Sequence, residues 1–447
     1  MLIGNNIFGL RGIFIDTPEF NQLRAATEGA VVVQQGKIQD FGPYDVLRKK
    51  YEMQSIRWID CQRFLVFPGL IDLHTHLPQY PAVARHESDL LPWLRQHIFP
   101  LERDFTSPKA RKTIPYFFQE LVRNGTTTAV IYSAIFEDTC NAAFEAAETM
   151  NFRAVIGKTM MDVGSYGNYQ PRKVVSISLH ESERLCQKWH GKNDGLLDYA
   201  FSPRFAVSCS EKLMREAAEL AKTYNAYIQT HLSENLAEID RVRNLFMWAN
   251  SYTDVYAQCG LLGPKSILGH CIHLDDQEVA TLASTQSAIA HCPTSNLFLG
   301  SGIAKLEKFI DAGIPIGLGT DVAGGPELNL WQVMRSCIES QKARGFYDPE
   351  APKITPTQAL YFATLGGARA LGKGDIIGSF EIGKEADFTI LDPLALLPDP
   401  QNSLQSVKNL SPQDLLSLAV YRGGPQAVIS VYVRGRKIYQ ADEPTLF

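Results

Sequence analysis

Short apolar segments of β-strand character alternate with helical stretches through the middle of the chain, and this alternation constrains the fold more than any other feature. Parallel strands need a crossover connection, so repeated strand and helix units predict a parallel sheet covered by helices. Eight such units are enough to close a barrel. The candidate strands lie near residues 70–76, 126–132, 152–158, 197–207, 226–231, 266–270, 287–291 and 314–320. We therefore predict an α/β protein with a (β/α)8, TIM-like barrel.

Both ends of the chain predict β-structure of another kind. Residues 29–42 carry two β-branched runs on either side of Gln35-Gly36, as a hairpin would. Residues 428–439 repeat this pattern around Arg434-Gly435, and residues 383–391 predict a turn followed by a strand. Either end alone is small for a stable core, so we expect both to combine into one β-sandwich. The predicted division is a sandwich of residues 1–66 plus 380–447 and a barrel of residues 67–379.

Charge and apolar content exclude several classes of partner. The 447 residues include 43 Lys and Arg against 48 Asp and Glu, so no strong positive field is available for nucleic acid or an anionic membrane. No apolar stretch approaches the roughly 18 residues of a membrane span, and the first six residues lack the basic start of a secretory signal. The eight cysteines include no Cys-x-x-Cys pair, which predicts buried, reduced thiols. We expect a cytoplasmic protein that binds neither nucleic acid nor membrane.

The first candidate barrel strand ends in the sequence His-x-His. Because side chains alternate along a strand, His74 and His76 point to the same side, and their imidazoles can converge on one metal ion. A solvated polar strand end is the alternative interpretation, and for an isolated pair of histidines it is the better one. The decision therefore rests on what the other strand ends carry.

Three further candidate strands also end in a side chain that can bind a metal. His231 follows the fifth strand, His270 the sixth and Asp321 the eighth. Barrel enzymes carry catalytic groups at these ends, and three histidines with one carboxylate suit a divalent cation that keeps a position for water. Glu234 lies in the loop after His231, within reach of such a water, which suits a proton shuttle. Its alternative role is a helix N-terminal carboxylate in a cap with Ser233.

This set of strand ends resembles the amidohydrolase superfamily in its single-metal form. Longer stretches resemble the guanine deaminases of that superfamily, and the resemblance covers nearly the whole chain. The stretches that carry it include Pro78-Gln79-Tyr80, Leu91-Pro92-Trp93-Leu94, Phe99-Pro100-Leu101-Glu102, Pro203-Arg204-Phe205, Thr230-His231-Leu232-Ser233-Glu234-Asn235, His291-Cys292-Pro293-Thr294-Ser295-Asn296 and Gly319-Thr320-Asp321.

The resemblance implies hydrolytic deamination of guanine to xanthine and ammonia, with one Zn²⁺ per chain and Fe²⁺ as the alternative metal. The implied residues are His74, His76, His231 and Asp321 for the metal; Glu234, Asp321 and His270 for catalysis; and Gln79, Arg204, Phe205, His231, Glu234, His270 and Asp321 for the substrate. Guanine offers its O6 and N7 acceptors to an arginine, and an aromatic face can stack on the base. We also expect a homodimer.

Two other functions stay open at this point. The first is an aminohydrolase with the same metal site that acts on another aminated heterocycle, such as a pterin, a triazine or 8-oxoguanine. The second is a catalytically silent barrel used as a scaffold, which the loss of a metal ligand would favour; the sequence has lost none.

The sequence departs from the family pattern after Gly324-Gly325. The family commonly continues there with an aromatic and serine-rich stretch, whereas this chain has Pro326–Trp331. We expect this stretch to be the place where the loop conformation and the fine specificity of this chain differ from those of the family. His291 ends the seventh strand, but Cys292-Pro293 follows at once, so we predict a turn-fixing hydrogen bond rather than a metal ligand.

Overall fold

The computed structural model describes residues 7–87, 89–163, 171–399 and 404–441. The first six residues, which lack the basic start of a secretory signal, lie outside these ranges. The strands are β1 (Ile7–Glu19), β2 (Gln22–Gln34), β3 (Lys37–Pro43), β4 (Arg57–Pro68), β5 (Leu70–His76), β6 (Thr126–Ser133), β7 (Arg153–Met160), β8 (Leu197–Pro203), β9 (Tyr227–Leu232), β10 (Ser266–His270), β11 (Ala288–His291), β12 (Ile316–Leu318), β13 (Phe388–Leu391), β14 (Val428–Val433) and β15 (Arg436–Gln440).

Helices fill most of the connections between these strands. They are α1 (Tyr44–Lys50), α2 (Leu90–Trp93), α3 (Phe99–Arg103), α4 (Ser107–Arg123), α5 (Glu137–Met150), α6 (Pro171–Trp189), α7 (Lys192–Gly195), α8 (Glu211–Tyr224), α9 (Leu236–Leu245), α10 (Tyr252–Cys259), α11 (Asp276–Thr285), α12 (Pro293–Phe298), α13 (Leu306–Asp311), α14 (Leu330–Arg344), α15 (Pro356–Tyr361), α16 (Gly367–Ala370), α17 (Leu404–Lys408) and α18 (Pro412–Arg422).

Strands β5 to β12 form a parallel sheet in the order of the sequence, which confirms the predicted barrel. The barrel closes where the chain leaves β12 and meets β5. The backbone N–H of Asp321 donates to the carbonyl of His74 at 2.8 Å, and the N–H of His76 donates to the carbonyl of Val322 at 3.1 Å. Three residues expected in the active site therefore belong to the hydrogen bonds that close the barrel.

Helix α8 illustrates how the helices attach to the barrel. Its N-cap residue, Ser210, accepts a hydrogen bond from the N–H of Leu213 at 3.2 Å and so satisfies one of the free donors of the first turn. Leu213, Ala217 and Ala221 recur at helical spacing and are buried. The apolar face of the helix therefore packs on the sheet, and its charged face lies in solvent.

The two ends of the chain form one seven-stranded sheet, in the order β15-β14-β13-β4-β1-β2-β3. The sheet curls until β3 meets the segment before β13, where the N–H of Ile38 donates to the carbonyl of Lys384 at 2.8 Å. Side chains of both ends, among them Phe14, Val31 and Phe388, pack into one core. The expected composite β-domain is therefore confirmed, whereas its boundaries after residue 66 and before residue 380 stay a prediction.

A buried ion pair fixes this sheet to the barrel. Arg153 begins β7 and is 1% exposed. Its Nη2 lies 3.0 Å from a carboxylate oxygen of Asp387 and also contacts Glu385, next to the start of β13.

The cysteines of the chain are all buried and free, as predicted. None of the helices in the described ranges is both long and apolar enough to cross a bilayer.

Candidate active site

His74 and His76 lie at the C-terminal end of β5, where both side chains are almost fully buried and their Nε2 atoms are 3.2 Å apart. Two glycines make room for the first imidazole. A Cβ atom on Gly269 would lie 2.8 Å from Cε1 of His74, and one on Gly319 would lie 2.7 Å from its Cβ. A side chain at either glycine would displace the histidine, so β10 and the residue that follows β12 are shaped around it.

His231 and Asp321 complete a cluster with these two histidines. Nε2 of His231 lies 3.2 Å from Nε2 of His76, and Oδ1 of Asp321 lies 3.2 Å from Nε2 of both His74 and His76. The four donor atoms all lie within 4.8 Å of one another. Ligands about 2.0 Å from one ion at tetrahedral angles are about 3.3 Å apart, which is close to the observed separations. The cluster therefore fits a divalent metal ion.

Neighbouring groups orient two of these four donors. The Nδ1–H of His231 donates to the backbone carbonyl of Arg204 at 2.7 Å, which directs the lone pair of Nε2 to the cluster. The hydroxyl of Ser295 donates to Oδ2 of Asp321 at 2.6 Å and leaves Oδ1 to face the histidines. Ser295 was not among the predicted site residues. It belongs to a stretch that resembles the family, but its contact with Asp321 depends on the path of the loop after β11.

The protonation states of the cluster suit a cation. Burial lowers the pKa of His74 to about 4, and burial also lowers the pKa of His76 and holds that of His231 well below its usual value. Burial alone would raise the pKa of Asp321, but hydrogen bonds from His74 and His76 outweigh burial and hold it well below its ordinary range. At neutral pH the site thus combines neutral imidazoles with a carboxylate, the state that metal binding requires.

Glu234 and His270 face each other beside the cluster. Oε2 of Glu234 lies 3.5 Å from Nε2 of His270, and its Oε1 accepts a hydrogen bond from the hydroxyl of Ser301 at 3.3 Å. The Nδ1–H of His270 donates to Oδ1 of Asn296 at 2.9 Å. Burial raises the pKa of Glu234 to about 8. Burial lowers the pKa of His270, but the carboxylates of Glu234 and Asp321 outweigh it, so the pKa is raised. This pair can take up and release a proton near neutral pH.

The loop that carries Glu234 is held from behind by Glu238. The carboxylate of Glu238 accepts the backbone N–H groups of Glu234 at 3.0 Å and of Asn235 at 3.2 Å. Asn235, not Ser233, is the N-cap residue of α9, and Glu238 completes a capping box with it. The alternative role of the Glu234 side chain as a helix cap is therefore wrong, and its carboxyl is left to face the site.

A small cavity adjoins these groups. Gln79, Arg204 and Phe205, the three side chains expected at the purine, all line it and are at most 4% exposed. The ring centroid of Phe205 lies 6.3 Å from that of His231. Every predicted site residue except His74 lines this cavity, and His74 belongs to the donor cluster beside it. The sequence did not identify the apolar part of the lining, which consists of Leu90, Trp93, Leu94 and Leu299.

The departure from the family pattern at Pro326–Trp331 falls on packing. Asn329 caps α14 by accepting the N–H of Trp331 at 3.0 Å, and the ring of Trp331 packs against Phe67 with centroids 5.3 Å apart. None of this stretch is among the described residues that line the cavity.

The prediction of a turn-fixing hydrogen bond from His291 is wrong. Its ring nitrogens have no hydrogen-bond partner within the described part of the chain, and burial lowers its pKa to about 3.

Comparisons with known proteins agree with this geometry. The model of the amidohydrolase family matches residues 65–438. The chain is 37% identical over 431 residues to the guanine deaminase of Escherichia coli (strain K12), covering 95% of each chain. It is 34% identical over 390 residues to the guanine deaminase of Dictyostelium discoideum, covering 87% of this chain and 85% of the relative. A crystal structure of guanine deaminase from C. acetobutylicum with guanine bound in its active site is similar with a TM-score of 0.89 at 29% identity, covering 97% of this chain and 100% of that one. The chain therefore belongs to the amidohydrolase family and, within it, to the guanine deaminases.

Proposed function

We propose that this protein deaminates guanine hydrolytically to xanthine and ammonia. The observation that carries the proposal is the position of Glu234 and His270, which line the cavity, beside a cluster of three histidines and one aspartate. The relatives named guanine deaminase match this chain over most of its length and support the choice of substrate. The silent scaffold lacks comparable support, since the sequence keeps each of the expected ligands.

We propose Zn²⁺ as the ion, one per chain, held by His74, His76, His231 and Asp321. Three imidazole nitrogens and one carboxylate oxygen suit zinc, with Fe²⁺ as the alternative. When bound, such an ion lowers the pKa of a water molecule from about 15.7 toward about 7 and so supplies a nucleophile at neutral pH.

Glu234 moves the protons of the proposed reaction. Together with Asp321 it accepts a proton from the water that attacks C2 of guanine, and it passes this proton to the ring nitrogen beside C2. The water oxygen forms a new bond to C2, and the bond from C2 to the exocyclic amine then breaks. The second proton of the water passes from the new hydroxyl on C2 to the amine by way of Glu234, so the amine leaves as ammonia and C2 keeps a carbonyl oxygen. His270 stabilises the oxygen on the tetrahedral carbon by a hydrogen bond.

The purine is recognised by the wall of the pocket opposite these groups. The guanidinium of Arg204 suits the O6 and N7 acceptors of guanine, and the amide of Gln79 suits an adjoining polar edge. The ring of Phe205 offers an aromatic face to the base. Adenine carries an amine donor at the six-position and would leave the buried guanidinium poorly paired.

Steady-state kcat/KM for guanine and adenine, measured for the parent and for Arg204→Ala, tests this function. We expect guanine to be preferred on the order of 10⁴-fold by the parent, and the preference to fall in the variant. Arg335→Ala is the control, because Arg335 is exposed and pairs with Glu339 on its own helix. Comparable turnover of adenine by the parent would overturn the assignment. Ammonia release from pterins, triazines and 8-oxoguanine then identifies the substrate among the alternatives.

A homodimer and a cytoplasmic location stay predictions for this chain. Sedimentation equilibrium of the purified protein tests the first, and fractionation of the source cells tests the second. A monomer at all accessible concentrations would contradict the expected assembly.

A further inference from the structure

A buried carboxylate joins the two polar side chains of the purine wall. Glu102 lies in α3 and is 2% exposed. Its Oε1 accepts a hydrogen bond from Nε2 of Gln79 at 3.0 Å, and its Oε2 accepts one from Nη1 of Arg204 at 2.5 Å. Glu102 is not among the described residues that line the cavity, whereas both of its partners are. Any effect of Glu102 on the substrate is therefore transmitted through Gln79 and Arg204.

The first consequence is a fixed orientation of the Gln79 amide. Its Oε1 accepts the backbone N–H of Ala323 at 3.2 Å, while its Nε2 donates to Glu102. A flipped amide would place its oxygen against the carboxylate and its NH₂ group against the N–H of Ala323, so both contacts would become repulsive. The amide nitrogen carries two hydrogens, and Glu102 takes one of them. The second stays a donor for the pocket.

The second consequence is a balanced charge on Arg204, which is 3% exposed. A buried guanidinium without a partner would carry a large desolvation cost, and Glu102 removes that cost through a direct ion pair. The guanidinium also lies 5.4 Å from the ring centroid of Phe99, a cation–π contact on another side. The carboxylate and the ring together limit how the planar guanidinium can turn.

We propose that Glu102 is a positioning residue that sets the preference for a purine with an oxygen at the six-position. It holds Gln79 and Arg204 so that both present hydrogen-bond donors to the base. A carbonyl oxygen at C6 of the base can accept hydrogen bonds from these two side chains. An amine at C6 is itself a donor and would face two donors. This inference rests on the proposed deamination of guanine and adds the residue that governs its selectivity.

The experiment uses Glu102→Gln and two substrates, guanine and 2,6-diaminopurine. The second compound keeps the amine at C2 that would be released but carries an amine instead of oxygen at C6, so ammonia release from C2 reports each substrate. The substitution introduces an NH₂ group that faces the hydrogen-bond donors of Gln79 and Arg204. The amide of Gln79 can then flip and present its oxygen to the base. We expect kcat/KM for guanine to fall about 10-fold to 100-fold, mainly through KM, and the guanine to 2,6-diaminopurine ratio to shrink.

Glu307→Gln is the matched control. Glu307 makes a similarly short pair with Arg344, with 2.5 Å between Oε2 and Nη2, and it is not among the described residues that line the cavity. We expect its selectivity ratio to equal that of the parent. Glu102→Asp retains the charge beside Arg204 and serves if the amide variant does not fold. Its carboxylate is one methylene shorter and cannot hold both partners, so the ratio should shrink in this variant too.

The outcomes are distinguishable. A folded Glu102 variant that loses rate equally on both substrates, with an unchanged ratio, would overturn the positioning role and leave Glu102 as a structural ion pair. If the parent releases no ammonia from guanine, the proposed function fails, whatever the variants do.

Discussion

Thr320 donates two hydrogen bonds to the carboxylate of Asp72, one from its backbone N–H at 3.0 Å and one from its hydroxyl at 2.6 Å. Asp72 lies in β5, and the same carboxylate accepts the N–H of His74 at 3.2 Å. Thr320 directly precedes Asp321. One buried carboxylate therefore holds the backbone beside two members of the donor cluster, across the line where the barrel closes.

Thr320→Val should weaken both the fold and the metal site. The substitution keeps the side-chain shape but leaves one oxygen of the buried Asp72 without its hydroxyl donor, at a cost of about 1–3 kcal/mol in the free energy of unfolding. Urea unfolding and elemental analysis after dialysis measure the two effects. Thr128→Val is the matched control, since the hydroxyl of Thr128 is buried in β6 without a partner among the described residues. Equal losses in the two variants would contradict a specific role for the Asp72 contact.

Gly269→Ala should lower metal affinity while the barrel still forms. The new methyl group would lie 2.8 Å from Cε1 of His74 and force the imidazole away from the cluster. We expect the dissociation constant of the metal to rise about 10-fold to 100-fold, the range typical when the support of a ligand is disturbed. Competition with a chelator measures it. Gly263→Ala, where nothing lies within 4 Å of the added Cβ, should match the parent.

Glu234→Gln should keep the metal and lose turnover. The amide has the shape of the carboxyl but cannot accept a proton from water, so kcat should fall about 10²-fold to 10⁴-fold, as for other general acid-base groups. Metal content per chain and kcat for guanine are measured on the same preparation. A variant that loses its metal would show that Glu234 supports the cluster instead of moving protons.

The same substitution should change how the metal-free protein responds to pH. Burial raises the pKa of Glu234 from an ordinary value of 4.5 to about 8, so the native protein holds a proton that the unfolded chain has released between these values. Stability contributed by this group therefore declines as pH rises through that window. Glu234→Gln removes the decline, and we expect it to be more stable than the parent at pH 8 but not at pH 4.5. If the free energy of unfolding changed with pH in the same way for both proteins between pH 4.5 and pH 8, the assignment would be refuted.

Arg153→Met should loosen the attachment of the sheet to the barrel. It leaves the buried carboxylate of Asp387 without its cation, whereas Glu385 keeps its pair with Arg434, and the loss of one partner of a buried pair costs about 3–5 kcal/mol. Arg335→Met, which removes an exposed pair with Glu339, should stay within about 0.5 kcal/mol of the parent. Urea unfolding of both variants, followed by circular dichroism, provides the comparison.

The strand ends of the barrel could be predicted because their signals are local. An apolar run that stops at His231 or Asp321 shows both the strand and its functional residue in a few positions. Glu102 gives no such signal, since its partners lie 23 and 102 residues away and meet it only when α3 packs beside the segments that follow β5 and β8. Ser295 and Asn296 were missed as contacts for the same reason.

In the terminal sheet, local signals identified hairpins but not every strand. The hairpin at Gln35-Gly36 is where the sequence places it, because glycine there has a φ of +80° in a tight turn. Strand β1 joins β2 through Phe20-Asn21, which lacks glycine and proline, and β4 pairs in parallel with β1 far along the chain. The turn after β1 therefore lacks the residues on which sequence reasoning depends, and the partner of β4 cannot be read from residues near it in the sequence.

The hydrogen bonds that close the barrel belong to the residues that would hold the ion: Asp321 to His74, and His76 to the residue after Asp321. The first and last barrel strands must therefore have docked before the four donors exist as a set. Metal binding is then a late step in folding, and a bound ion links the first and last strands of the barrel, which are distant along the chain. Removal of the metal by a chelator should therefore open the molecule first between β5 and the segment after β12, where catalysis and closure of the barrel depend on the same few atoms.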